Sequence, residues 1–326
     1  MTGFYVVGGH RSDWKRWQDE IRYTAGCISR VCLEEERVEP VINYVSPPEA
    51  CPEQNPSTVF KAATREGDRL YACTTTEVLI YQLPEFQQVG YLSMPCFNDV
   101  HHVRPCPDGN LLVASTGLDM VVMVSPTGET LHEWNVLGED TWKRFSREID
   151  YRKVPSTKPH RSHPNYLFLI GDDIWVTRFY QRDAICLTSP GKRIEIGLEA
   201  PHDGIVYEDR VYFTTVDGHI VIADAHSLQV ERVIDLNAWN SAKKVLGWCR
   251  GIEVLDRDHI IVGFSRLRDT EWLDNIRWVQ YKVGLRDTYG NLPTRVSLYD
   301  IRRGRLCWEY DLEPYGHNTV FSIHHV

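Results

Sequence analysis

No apolar run in this sequence approaches the length of a membrane span, and its start, "MTGFYVVGGHRSDWKRW", lacks the basic-then-apolar order of a secretory leader. The nine cysteines are scattered, odd in number and never spaced as CxxC. That spacing disfavours a disulfide framework or a zinc ribbon and leads us to expect reduced thiols in a cytoplasmic protein. There is no GxxxxGK[ST] phosphate loop, no GxGxxG after a strand, no GxSxG elbow and no HExxH, so nucleotide-driven chemistry and a serine-hydrolase mechanism both lose ground. A net charge of −9 without a continuous basic stripe argues against nucleic acid as a partner. Neither a membrane nor a nucleic acid is therefore expected, and the oligomeric state stays open.

What the chain has is repetition. Six short segments run from large apolar residues into small ones or Thr: "FYVVGG", "LYACTT", "LLVAST", "IWVTRF", "VYFTTV" and "IIVGFS". A strand and tight turn precede five of them, as in "HHVRPCPDG", and a second hairpin follows, as in "VVMVSPTGETLHEWNV". Four strands per unit, recurring about every 40–60 residues, predict an all-β, six-bladed β-propeller spanning 1–326 as one domain. The first unit lacks an innermost strand, and the chain ends on an unpaired one, "NTVFSIHHV". Joining the two closes the ring without exposed edges. Numbering blades from "FKAATR", the terminal blade is the sixth.

In such a ring the first strand of each blade lines the central channel. His101 and His102 head that strand in blade two, His202 in blade four, and His324 lies in the closing strand of blade six. These are alternate blades, so three imidazoles approach the axis about 120° apart by symmetry. Three neutral imidazoles with an open position make a first shell for a catalytic divalent metal, zinc or iron by donor type. A gap-free alignment across the termini puts Phe321 at the channel end of blade six instead, which makes His317 a rival to His324, as His102 is to His101.

"APHDGIVYEDRVYFTT" resembles the Pro-His-led inner strand, turn and second strand of peptidyl-α-hydroxyglycine α-amidating lyase and its NHL-repeat relatives, with Pro201 and His202 at the matching positions. "VHHVRPCPDGNLLVAS" is similar, with His101 or His102 at the ligand position, but blades two and six have no Pro before the His. The resemblance implies a metal-dependent lyase or related activity.

Two other inner strands open on polar groups. Arg250 reads as a carboxylate or phosphate clamp, or as the partner of Asp203 or Asp99. His163 is a candidate fourth ligand, which would resemble the four-His iron sites of carotenoid-oxygenase-like propellers, although those have seven blades. As a catalytic base, His163, Tyr151 and Tyr281 are candidates. Inserts at 10–24, 137–162, 237–249 and 266–295 are longer than a propeller needs, and all are expected on the face where inner strands begin. They carry seven of the ten tryptophans, and 141–162 is rich in Lys and Arg, which points to a small anionic substrate at the channel mouth. The competing expectation is a non-catalytic propeller binding a ligand or protein on the same face.

Overall fold

The computed structural model describes residues 3–11, 23–32, 35, 37–54, 56–242, 244–267 and 291–326. They form twenty-four strands in six four-stranded antiparallel sheets. Blade one is β4 to β7 (Ala62–Glu66, Arg69–Cys73, Val78–Gln82, Gln87–Leu92), and blade two is β8 to β11 (Val100–Pro105, Leu111–Ser115, Met120–Val124, Thr130–Asn135). Blade three is β12 to β15 (Pro164–Ile170, Asp173–Arg178, Asp183–Cys186, Arg193–Glu195) and blade four β16 to β19 (Ile205–Tyr207, Arg210–Thr214, His219–Asp224, Val230–Asp235). Blade five is β20 to β23 (Trp248–Val254, His259–Ser265, Arg295–Asp300, Arg305–Asp311). Blade six combines β24 (Thr319–His325) with β1 to β3 (Phe4–Arg11, Tyr23–Cys32, Arg37–Tyr44), in the order β24-β1-β2-β3. The closing strand is thus where the termini predicted it, with Phe4 opposite His325 and Tyr5 opposite His324.

Burial explains the residue pattern. The second strand of a blade is covered on both faces by its neighbours, so "LLVAS" of β9 is buried at every position. The outermost strand has one covered face, so "RLCWEYD" of β23 alternates exposed and half-buried residues. The apolar core is a ring of wedges, one between each pair of adjacent blades. Ala62, Cys73 and Val78 of blade one pack with Val100, Val113 and Val122 of blade two, and Tyr5, Val7 and Ile28 of blade six pack with Ala63, Leu70 and Leu79 of blade one. The inner strands touch in sequence around the circle, with β24 between β20 and β4. None of the nine cysteines is in a disulfide, and no helix among the described residues is long and apolar enough to cross a membrane.

Four inner strands carry a β-bulge close to their start. In β8 Val100 pairs with Ser115 and His102 with Ala114, leaving His101 as the extra residue. In β24 Phe321 is extra, between Val320 and Ser322. In β12 Asn165 and Tyr166 face one residue of β13, and in β20 Arg250 and Gly251 face one residue of β21. Gly251 takes φ +76°, a conformation that Gly adopts without a Cβ penalty. A bulge bends its strand and re-aims the side chains around it.

Candidate metal centre at the head of the channel

Every inner strand contributes to one ring at its starting end. Asp99 and His101 come from blade two, His163 from blade three, His202 from blade four, Arg250 from blade five, Phe321 from blade six and Lys61 from blade one. The rings of His101 and His163 lie 4.6 Å apart, those of His101 and His202 6.3 Å, and those of His202 and Phe321 6.2 Å. The Lys61 ammonium is 3.2 Å from the Asp99 carboxylate and 5.6 Å from the centre of the Phe321 ring. The Arg250 guanidinium lies 4.9 Å from the same centre and 5.2 Å from Trp248.

A fourth imidazole, His160, enters from the blade two to blade three connection. Its Nδ1 sits 2.8 Å from Nδ1 of His163, and ligand atoms of Asp99, His160 and His163 all lie within 4.8 Å of one another. Asp119 holds this loop in place. Its Oδ1 accepts from the amides of Ser162 and His163, and its Oδ2 accepts from the amide of Arg161 and the Arg144 guanidinium. Asp99, Asp119 and His163 all have left-handed φ values (47°, 51° and 62°), uncommon for residues with a Cβ and concentrated here around one cluster.

The electrostatics suit a cation. Burial pushes His101 and His163 well below the usual imidazole value and lowers His160 and His202, so all four are neutral and carry lone pairs. Burial alone would raise Asp99, but the charges of Lys61 and then the histidines hold it well below the carboxylate range, so it stays ionised. His101 Nδ1 donates to the Asp99 carbonyl at 2.7 Å, which leaves Nε2 as the free lone pair, the usual arrangement behind a metal-ligating His. His202 is 4% exposed, yet neither ring nitrogen makes a hydrogen bond among the described residues; the Asp203 carboxylate is 3.8 Å away. Asp203 is already engaged, accepting from Thr214 and from the Gly251 amide beside Arg250.

Of the residues singled out in the sequence, the structure brings together His101, His163, His202 and Arg250. His324 falls elsewhere, in a cavity with Arg65 and Arg104, and its Nε2 is 3.1 Å from the Ser322 hydroxyl. His102 faces the wedge, stacked on Tyr166 at 3.7 Å with Nδ1 accepting from the Leu167 amide. His317 is fully buried against Ser29 and Cys27. Tyr151 anchors the 137–162 insert in the wedge between blades one and two, its hydroxyl accepting from the Ser146 amide. Tyr281, Trp14, Trp17, Trp272 and Trp278 lie outside the described residues. Within the basic stretch Arg144, Arg147, Arg152 and Arg161 pair with Asp119, Glu133, Asp150 and Glu139, and Lys153 donates to the carbonyls of Pro48 and Cys51, while Lys143 and Lys158 are exposed. The sequence reading missed His160 and Lys61, and gave Asp99 only a partner's role. Their signal was there, in "STKPHRSHP" and in Lys61 just before the first inner strand.

The class is therefore a six-bladed β-propeller with a histidine-rich channel head. No family model and no curated protein matches the chain. Among solved structures 1301 chains match it, and a propeller architecture does not by itself select a function. One of them is a protein of unknown function from Bacteroides caccae, 13% identical over 99% of this chain and 98% of its own, with a TM-score of 0.61.

Proposed function

We propose that the protein is a metal-dependent enzyme, of the lyase type or related to it, acting on a small organic anion at the head of the channel. One observation carries this reading: Asp99, His160 and His163 present ligand atoms within 4.8 Å of one another beside a buried His202 that makes no hydrogen bond among the described residues. The His160–His163 contact at 2.8 Å is a hydrogen bond that a metal would replace, and two imidazoles with one carboxylate suit zinc or ferrous iron. When bound, the metal supplies Lewis acidity toward a substrate oxygen. Lys61 and Arg250, both beside the Phe321 ring, hold the anionic end of the substrate. His202, neutral through burial, is placed to take a proton, and His101 is placed to complete the ligand set. A second reading rests on the four imidazoles gathered here (His101, His160, His163 and His202), a donor set suited to an iron-dependent oxygenase.

Elemental analysis of protein purified without a nickel column tests the proposal. About one equivalent of zinc or iron is expected, lost in His163→Ala and in His160→Ala, whose melting temperatures stay close to the parent's. Protein that neither carries nor takes up zinc, iron or manganese overturns it. Oxygen consumption by the iron-loaded protein favours the second reading.

A further inference from the structure

Three residues further along each inner strand lies a second ring: Thr64, Arg104, Tyr166, Ile205, Glu253 and His324. Together with Arg65, Gly67 and His325 it lines a cavity of about 410 Å³, within the range of small-molecule sites. On a flat strand, residues three apart point to opposite faces. The bulges in β8, β12, β20 and β24 add the extra residue that returns both rings to the channel.

The chemistry of this cavity differs from that of the metal centre. Arg104 has no ion-pair partner among the described residues, and its Nε is buried without a hydrogen bond. A buried guanidinium edge without an acceptor is costly unless a ligand supplies one. Arg65 donates to the His325 carbonyl, which fixes its guanidinium at the same cavity. The one carboxyl lining it, Glu253, is raised to about 7 by burial, so near neutrality it is partly protonated and can donate a hydrogen bond. Beside these lie the phenol of Tyr166 and the imidazole of His324.

We propose that this cavity is a second ligand site, distinct from the metal centre, that takes a small organic oxyanion bearing a phosphate or paired carboxylates. Arg104 and Arg65 bind its charged oxygens, and Glu253 and Tyr166 donate to the remaining ones.

Calorimetric titration of the full chain with inorganic phosphate, succinate and citrate tests this. At least one probe is expected to bind with millimolar or better affinity, weakened at least tenfold in Arg104→Gln and unchanged in His163→Ala and Arg250→Lys. Preference for phosphate or for a carboxylate identifies the ligand class. If Arg104→Gln is poorly folded, Arg104→Lys keeps the charge without the Nε contact, and it should weaken binding in the same direction. No binding of any probe at 10-fold above about 1 mM, or binding sensitive to Arg250→Lys but not to Arg104, overturns the proposal. Metal content is read on the same samples, so loss of this site and loss of the metal centre are separately visible.

Discussion

The two rings of the channel are built from the same six strands, yet they have opposite chemistry. At the starting end, an ionised Asp99 and four neutral imidazoles make a donor set for a cation, with Lys61 and Arg250 alongside. Three residues on, two guanidiniums and a weakly acidic carboxyl make a set for an anion. The difference comes from what each strand carries at i and i+3, and from the bulges that let both positions face the axis. On the two proposals above, one propeller would hold two unlike sites on a single scaffold without a second domain.

The largest effect on this arrangement is expected from removing residues 318–326. This deletes β24, takes Phe321 from one ring and His324 from the other, and exposes the edges of β1 in blade six. Soluble folded protein should be lost; a truncated chain that melts like the full-length one would show that ring closure does not depend on β24. Next, His101→Ala should lower metal affinity roughly 10- to 100-fold, as removal of a ligating imidazole does, while leaving probe binding at Arg104 intact. Equal metal content in His101→Ala and His163→Ala proteins and the parent would dissolve the distinction between the rings.

Arg250→Lys sharpens the comparison at its cationic edge. Loss of a bidentate contact to a bound anion is worth about 2–4 kcal/mol, so affinity for the substrate anion or turnover should fall roughly 30- to 1000-fold with the metal retained. A lowered melting temperature with unchanged anion affinity would instead assign Arg250 to structure alone. The smallest effect concerns pH. Burial lowers His317 to about 4, below its unfolded value, so stability falls as the pH drops below about 6.5 and levels off below about 4. By pH 5 this amounts to about 2 kcal/mol, which His317→Gln should remove from the acid limb of a denaturation series. Glu253, raised to about 7, acts with the opposite sign: its contribution declines as pH rises from about 4.5 to 7. Parallel acid limbs in parent and His317→Gln protein would show that this imidazole does not set the slope.

Periodicity was legible because blade burial repeats it. Each second strand must be apolar on both faces, so "LYACTT" and "LLVAST" announce themselves, and the unpaired ends announce the closure. The heads of the inner strands were legible for the same reason, which placed His101, His202, His163 and Arg250 near the axis before any coordinates. A local count of charge in 141–162 overstates its excess, because Asp119 and Glu133, outside the stretch, pair with Arg144 and Arg147.

His324 shows where reading along the chain stops. The gap-free alignment across the termini put Phe321 at the channel end, where the structure has it beside His202, Lys61 and Arg250, but the one-residue bulge there, which arises from pairing with β1, is not marked in "NTVFSIHHV". His160 was hidden for a related reason, since it reaches the cluster only because the Asp119 carboxylate gathers the amides of Arg161, Ser162 and His163. Six blades, their closure and the polar heads of the inner strands were legible along the chain, since they follow from local burial patterns repeated six times. Which histidines lie next to one another was settled by the fold in three dimensions, because that depends on bulges and on long-range carboxylate contacts that a strand pattern does not encode.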